Sequence, residues 1–245
     1  MKLYGLIGYP LSHSWSAQYF SEKFSLESRQ EEIYRLFPIK DILELPGLLS
    51  SNPDLCGLNV TIPYKEKVIN LLDELDDQAY QIGAVNTIKI SRQNGRIMTR
   101  GYNTDSDGFI KSLPSGFNHK NALILGTGGA SKAIVYALRK LGINYSLVSR
   151  NPFNDHILAY QDINKSILEQ HSLIINTTPL GMFPKVNKYP LIPYAWLTTE
   201  HYLYDLVYNP SETMFLRQGK AKGTMLQNGL EMLKKQADLS YEIFQ

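Results

Sequence analysis

Proton transfer at near-neutral pH needs a positioned amine, imidazole or carboxyl group, and two polar segments of this sequence supply one each. Lys65 closes the run Asn59-Val60-Thr61-Ile62-Pro63-Tyr64-Lys65. Proline suits the first position of a helix, where its missing N–H would have had no partner. The pattern therefore predicts a helix over 63–72 with Lys65 in its first turn. The helix dipole opposes a cation there, and dipole and burial together would bring an ammonium toward the range useful for proton transfer. Asp105, in Asn103-Thr104-Asp105-Ser106-Asp107-Gly108, is the carboxylate that could orient such an amine. It could equally be an N-cap of the following helix. His13-Ser14-Trp15-Ser16 offers hydroxyl donors, which could also do no more than cap the first helix.

A second kind of chemistry is written in Gly126-Thr127-Gly128-Gly129-Ala130-Ser131, between an apolar run and a helical one. This is Gly-x-Gly-x-x-small in the strand–turn–helix context that gives it meaning. Gly126 permits the tight turn, Gly128 lets backbone approach a pyrophosphate, and the helix N-terminus offers unpaired N–H groups. A Walker A phosphate loop is excluded, because Ser131 precedes Lys132 where glycine is required and Ala133 follows where a hydroxyl must hold magnesium. About twenty residues on, an NAD-binding unit carries an acid for the ribose 2′-hydroxyl. This chain reads Val148-Ser149-Arg150-Asn151 instead. A guanidinium there suits the 2′-phosphate of NADP, although an arginine at a strand end can also be merely solvated. Five histidines lie scattered with no His-x-x-x-His and no cysteine pair, so no metal site is expected. A Gly-x-Ser-x-Gly nucleophile elbow is absent as well.

These groups need a scaffold. The chain has 245 residues, more than the roughly 100–150 of a common domain, so two lobes are expected. Hydrophobic residues at 43% and charged residues at 20% suit a folded chain. Twenty-five basic against 23 acidic side chains leave +2, too little for a phosphate-neutralising nucleic-acid surface. No window approaches a membrane span, and Met1 to Ser14 lacks the apolar stretch of a signal peptide. One cysteine, Cys56, excludes an intrachain disulfide and fits a reducing compartment, so a cytoplasmic protein is expected.

Strand patterns fall at 2–8, 32–39, 55–60, 84–91 and 96–102, with helical spacing over 13–26 and 42–49. Pro46 sits awkwardly in the second of these helices. Gly83 closes a helix after Ile82, and Asn94-Gly95 signals a hairpin. Past Asn103, strands at 121–125, 145–148, 173–176 and 202–207 surround a helix over 131–141 closed by Gly142. The fold class is therefore α/β, with the later lobe a Rossmann-type dinucleotide-binding unit. An amphipathic segment over 228–244 is expected to return to the first lobe.

Taken in order, His13-Ser14-x-Ser16, Asn59-Val60-Thr61-x-Pro63-x-Lys65, Gly83-Ala84-Val85-Asn86-Thr87, Asn103-Thr104-Asp105, Gly126-x-Gly128-Gly129-Ala130 and Gly229-x-x-Met232 with Gln236 form a set spread over nearly the whole chain. In this the sequence resembles the shikimate dehydrogenases, NADP-dependent enzymes of the chorismate pathway to aromatic amino acids. The resemblance implies a substrate domain of residues 1–104 completed by a C-terminal helix at 227–245, and a Rossmann-type NADP-binding domain at 105–226. It implies hydride transfer between NADPH and 3-dehydroshikimate, with Lys65 as general acid/base and Asp105 orienting it. Ser14 and Ser16 would hold the substrate carboxylate, with Tyr208 beside it. Asn59, Thr61, Asn86, Asp105 and Gln236 would bond the ring hydroxyls. Gly126, Gly128, Gly129, Ala130, Ser149 and Arg150 would take the pyrophosphate and 2′-phosphate, and Thr178, Leu206 and Gly229 the nicotinamide end. Ala17 stands where the family commonly has proline, Trp15 is bulky between the two serines, and Ser149-Arg150-Asn151 replaces the usual Asn-Arg-Thr.

Two other functions fit parts of the pattern: an NAD-using quinate/shikimate dehydrogenase, and a non-catalytic dinucleotide or shikimate sensor. Turnover with both cofactors and both polyols separates the first. A sensor has no need for Lys65 and Asp105 together. The partner expected is a small molecule, with no nucleic acid, membrane or metal, in a monomer or a homodimer.

Overall fold

The computed structural model describes residues 1–11 and 15–245. The chain divides into two units, 1–104 with 237–245, and 105–236.

In the first unit, β1 (Lys2–Gly8), α1 (Trp15–Leu26), β2 (Glu32–Pro38), α2 (Leu45–Ser51), β3 (Leu55–Val60), β4 (Glu74–Leu75), α3 (Asp77–Ile82), β5 (Thr87–Gln93) and β6 (Arg96–Tyr102) follow in order. The six strands form a mixed sheet, β2-β1-β3-β5-β6-β4. β1 runs parallel to β2 and β3, whereas β5 is antiparallel to both β3 and β6. The β5–β6 turn has Asn94 at φ 51° and Gly95 at φ 76°, the double left-handed pair that a two-residue hairpin demands. Alternation along β1 sends Leu3 and Ile7 to one core and Tyr4 and Leu6 to another. Pro46 strengthens α2 by occupying its first turn, and Asp41 caps the short 3₁₀ turn before it.

The helix expected over 63–72 does not form. Tyr64 N–H bonds the Thr61 carbonyl at 2.9 Å in a turn, and only Lys67–Leu71 coil, as 3₁₀ helix. The Lys65 carbonyl, which a helix would offer to residue 69, instead accepts from Val85 N–H at 2.7 Å. A bond to the distant loop before β5 has displaced the local one, and the dipole argument for Lys65 falls with it.

The second unit holds α4 (Asp105–Ser112), β7 (Asn121–Leu125), α5 (Gly129–Lys140), β8 (Asn144–Ser149), β9 (Ile157–Ala159), α6 (Lys165–Gln170), β10 (Leu173–Asn176), β11 (Tyr202–Asp205), α7 (Met214–Lys220), β12 (Met225–Gln227) and α8 (Leu230–Phe244). All pairings in its sheet are parallel, in the order β12-β11-β10-β7-β8-β9. Counted from β7, this is 6-5-4-1-2-3, the doubly wound order of a dinucleotide-binding sheet. Ala122 and Ile124 enter one core while Leu123 and Leu125 enter the other, so both faces are covered, as parallel sheets require.

The last helix is divided between the units. Met232 belongs to a core of the second, whereas Ala237, Tyr241 and Phe244 pack with Tyr4, Phe20 and Phe24 of the first. The segment 227–245 was expected to belong wholly to the first lobe; its first part, through Gln236, clusters with the second unit.

Candidate active site

Polar side chains gather at one end of the central strands of the first sheet, where β3 ends and β5 begins. Asn59, Asn86, Thr87 and Thr104 are all buried. A buried amide or hydroxyl is costly unless bonded, and these bond one another. Asn86 Nδ2 donates to Thr104 Oγ1 at 2.9 Å, and its Oδ1 accepts from Thr104 N–H at 2.8 Å and Thr87 Oγ1 at 3.0 Å. Asn59 Nδ2 lies 3.4 Å from both the Asn86 carbonyl and Thr87 Oγ1. Ser240, fully buried on α8, shares hydrogen bonds with Thr87 Oγ1 at 2.7 Å and Thr104 Oγ1 at 3.0 Å. Sequence reasoning missed Ser240, but a signal was there: with Ala237, Tyr241 and Phe244 it lies on the apolar stripe, the one small polar side chain of that set.

Backbone bonds fix the same end of these strands. Thr61 N–H donates to Ile7 at 3.0 Å, Val60 N–H to Asn86 at 2.8 Å, and Asn86 N–H to Tyr102 at 3.0 Å. Tyr64, buried, anchors the lysine turn by donating its hydroxyl to the Ile39 carbonyl at 2.9 Å. Lys65, next along, is half-buried. Structure thus brings Asn59, Thr61, Lys65 and Asn86 into one hydrogen-bonded frame. Ser16 is half-buried in the first turn of α1, where its hydroxyl faces the phenol of Tyr34. Ser14 lies outside the described residues.

Asp105 belongs to the second unit and is the first residue of α4 rather than the residue before it. It is buried, at a helix end whose N–H groups favour a carboxylate. One turn on, a Cβ at Gly108 would stand 2.8 Å from Gln236 Cβ and 3.0 Å from the Met232 carbonyl. Glycine therefore lets α4 lie directly on α8, bringing the turn that follows Asp105 against Gln236. Gln236 Nε2 donates to the Leu233 carbonyl at 2.9 Å.

The glycine turn sits at the switch point of the second sheet, between β7 and β10. Gly126 has φ 114°, and a Cβ there would meet Thr177 Oγ1 at 2.7 Å. Gly128, the N-cap of α5, has φ −86°, and nothing lies within 4 Å of where its Cβ would point. That open space at the N-terminus of α5 leaves room for an anionic group such as a pyrophosphate. Ser131 Oγ donates back to the Gly128 carbonyl at 2.7 Å, which explains a serine at the position usually Gly or Ala. At the end of β8, Ser149 Oγ bonds both N–H and carbonyl of Asn151 at 3.2 Å, and Arg150 is exposed. The loop 150–156 has no helix, though parallel neighbours usually need a dozen residues or more to cross.

Thr178, Leu206 and Gly229 are brought together at the ends of β10, β11 and β12. Leu206 N–H donates to the Asn176 carbonyl at 3.0 Å and Gly229 N–H to Val207 at 3.3 Å. Any Cβ at Gly229 would strike the Leu206 carbonyl oxygen. Tyr208, half-buried, continues the loop from Leu206. Beneath them lies a cluster the sequence did not disclose. Asn176 Oδ1 accepts from Thr178 N–H at 3.0 Å and Thr178 Oγ1 at 2.6 Å, and its Nδ2 donates to Asp205 Oδ1 at 2.9 Å. Asp205 also accepts from Thr213 Oγ1 at 2.5 Å and Val207 N–H at 3.0 Å. Burial pushes its carboxyl up to about 7 despite these donors.

Comparison with known proteins agrees with this geometry. Residues 6–88 match the family model described as the shikimate dehydrogenase substrate binding domain. The chain is 40% identical to a shikimate dehydrogenase (NADP(+)) of Carboxydothermus hydrogenoformans, over 98% of this chain and 90% of that one. It is 38% identical to one of Methanococcus vannielii, over 99% and 90%. Among solved structures, the shikimate dehydrogenase of Aquifex aeolicus superposes with a TM-score of 0.86 at 33% identity, covering 100% of this chain and 92% of that one. The Thermus thermophilus shikimate 5-dehydrogenase, solved in complex with NADP(H) and shikimate, gives 0.84 at 32%, covering 100% and 93%. With sequence and fold matched from end to end, the chain belongs to the shikimate dehydrogenase family.

Proposed function

We propose that Lys65 is the general acid/base of this enzyme and that Asp105 orients it and a substrate hydroxyl. The enzyme is an NADP-dependent shikimate dehydrogenase, interconverting 3-dehydroshikimate and shikimate. The bound cofactor supplies or takes up the hydride. In the reducing direction the carbonyl π pair moves onto oxygen, and the Lys65 ammonium stabilises that charge and gives it a proton. In the oxidising direction the Lys65 amine removes the hydroxyl proton. Ser14 and Ser16 donate to the carboxylate, with Tyr208 beside it, and Asn59, Thr61, Asn86, Asp105 and Gln236 pair with the ring hydroxyls. A site built to pair each hydroxyl rejects analogues lacking one by large factors.

Residues 1–104 with the C-terminal helix bind substrate in this scheme, and 105–226 bind NADP. Gly126, Gly128, Gly129 and Ala130 receive the pyrophosphate, Ser149 and Arg150 the 2′-phosphate, and Thr178, Leu206 and Gly229 the nicotinamide end. A cytoplasmic setting, and a monomer or homodimer with a small molecule as its only partner, complete the proposal. What supports the catalytic assignment most is the Val85-to-Lys65 hydrogen bond of 2.7 Å, which ties the lysine turn to the segment carrying Asn86. The test is nicotinamide absorbance on mixing purified protein with shikimate and NADP, then with NAD. Reduction with NADP that Lys65→Ala abolishes supports the scheme. No reduction with either cofactor, or full turnover in Lys65→Ala, overturns it.

A further inference from the structure

Tyr34, on β2, is buried and has no part in the scheme above. Its ring stacks on Phe20, with centroids 4.4 Å apart and planes at 15°. Its hydroxyl donates to Asn59 Oδ1 at 2.8 Å. The Ser16 hydroxyl is its second side-chain partner. One phenol oxygen thus lies between two side chains assigned to opposite ends of the substrate, the carboxylate and a ring hydroxyl.

We infer that Tyr34 is a positioning residue for substrate binding, its phenol fixing which face Asn59 presents and holding Ser16 beside it. The inference rests on the roles proposed for Ser16 and Asn59. A carboxamide can present either its oxygen or its nitrogen to a ligand, and rotation by half a turn exchanges them. The Tyr34 proton claims one lone pair of Oδ1 while Nδ2 faces the Asn86 carbonyl and Thr87 Oγ1, so Asn59 is held with the second lone pair of Oδ1 left to accept from a substrate hydroxyl. Burial holds the phenol far above its ordinary titration range, so this proton stays in place at working pH. Ser16 is held differently. Its hydroxyl lies beside the phenol, and a turn about the Cβ–Oγ bond would bring it to a carboxylate without moving the chain. Sequence could not show this arrangement, since Ser16, Tyr34 and Asn59 lie in three separate segments, and Tyr34 and Asn59 are brought near by β1, which pairs with both β2 and β3.

The test is Tyr34→Phe, which keeps the ring and its stack on Phe20 and removes one oxygen. A hydrogen bond of net worth about 0.5–1.5 kcal/mol corresponds to a rise in shikimate KM of about twofold to tenfold, with kcat and the KM for NADP unchanged. A purely structural role would move the melting temperature and both KM values together. Because Tyr34 acts through Asn59, Tyr34→Phe in an Asn59→Ala background is expected to add little, whereas independent residues would multiply their effects. With wild-type turnover on shikimate in hand, an unchanged shikimate KM in Tyr34→Phe, or multiplicative effects in the double variant, overturns the inference alone. Absence of wild-type turnover overturns the functional reading and this inference with it.

Discussion

The backbone N–H of Val85 donates to the carbonyl oxygen of Lys65 across 2.7 Å, joining the turn that carries the amine to the segment that delivers Asn86. Backbone makes this bond, so it survives replacement of the lysine side chain. Lys65→Ala is expected to melt as wild type does and to lose turnover by about 10²–10⁴-fold, the span general acid–base catalysis supplies. Shikimate KM should move far less. Steady-state kinetics beside a thermal melt check this.

The two glycines of the cofactor turn should respond differently to the same substitution. At Gly126, φ 114° and the nearness of Thr177 make alanine a strained residue, at a cost of about 1–3 kcal/mol in stability. At Gly128, φ −86° and open space accept a methyl group readily. Gly128→Ala should therefore fold normally yet bind NADP roughly tenfold or more weakly, since the methyl fills the approach to the pyrophosphate. Calorimetric melts and cofactor titration separate the two; equal loss of stability in both variants would contradict the distinction.

Arg150 is exposed at the end of β8. Hydrogen bonds to charged groups are worth about 1.5–3 kcal/mol, so Arg150→Ala should raise the KM for NADP by roughly 10–100-fold. KM for NAD, which lacks the 2′-phosphate, should hardly change. Equal shifts for both cofactors would remove Arg150 from phosphate recognition.

Asp205 gives the folded protein a pH signature. Its carboxyl is pushed up to about 7 by burial, against about 3.9 for an ordinary aspartate in an unfolded chain. Between those values the folded state binds more protons than the unfolded state. Stability from this group is therefore full below about pH 4 and lost as pH rises through about 7. Asp205→Asn should flatten this decline, measured as urea midpoints at about pH 4.5 and about pH 7.5. Identical slopes in the two proteins would show that the carboxyl titrates normally.

Phe244 is buried on Tyr4, ring centroids 5.2 Å apart, where Gly57 leaves room for it on β3. Phe244→Ala should cost about 3–5 kcal/mol, the usual penalty for an aromatic core residue cut to alanine. Denaturant unfolding measures it, and a loss below about 1 kcal/mol would mean the helix end contributes little to the first unit.

Much of the fold was legible because its signals are local. The hairpin at Asn94-Gly95, the helix stop at Gly83 and the strand–glycine–helix run at 121–140 each rest on neighbouring residues and their backbone preferences. β9 and β12, three residues each, are too short to show a period. Pro63 misled for a different reason. Its preference for a helix start is worth little against the Val85 bond to Lys65 and the Tyr64 anchor on Ile39, both made by residues far along the chain.

By itself the sequence determined which side chains can do chemistry, where most of the longer strands and helices lie, and where the backbone must turn. Those follow from side-chain type and from dihedral preference, properties each residue carries with it. Only the tertiary structure decided what those side chains bond to: Tyr34 on Asn59, Ser240 between Thr87 and Thr104, Asp205 beneath Thr178. Buried polar atoms must find partners, and in a folded chain the partner at hand is set by strand order and helix packing, which no short stretch of sequence contains.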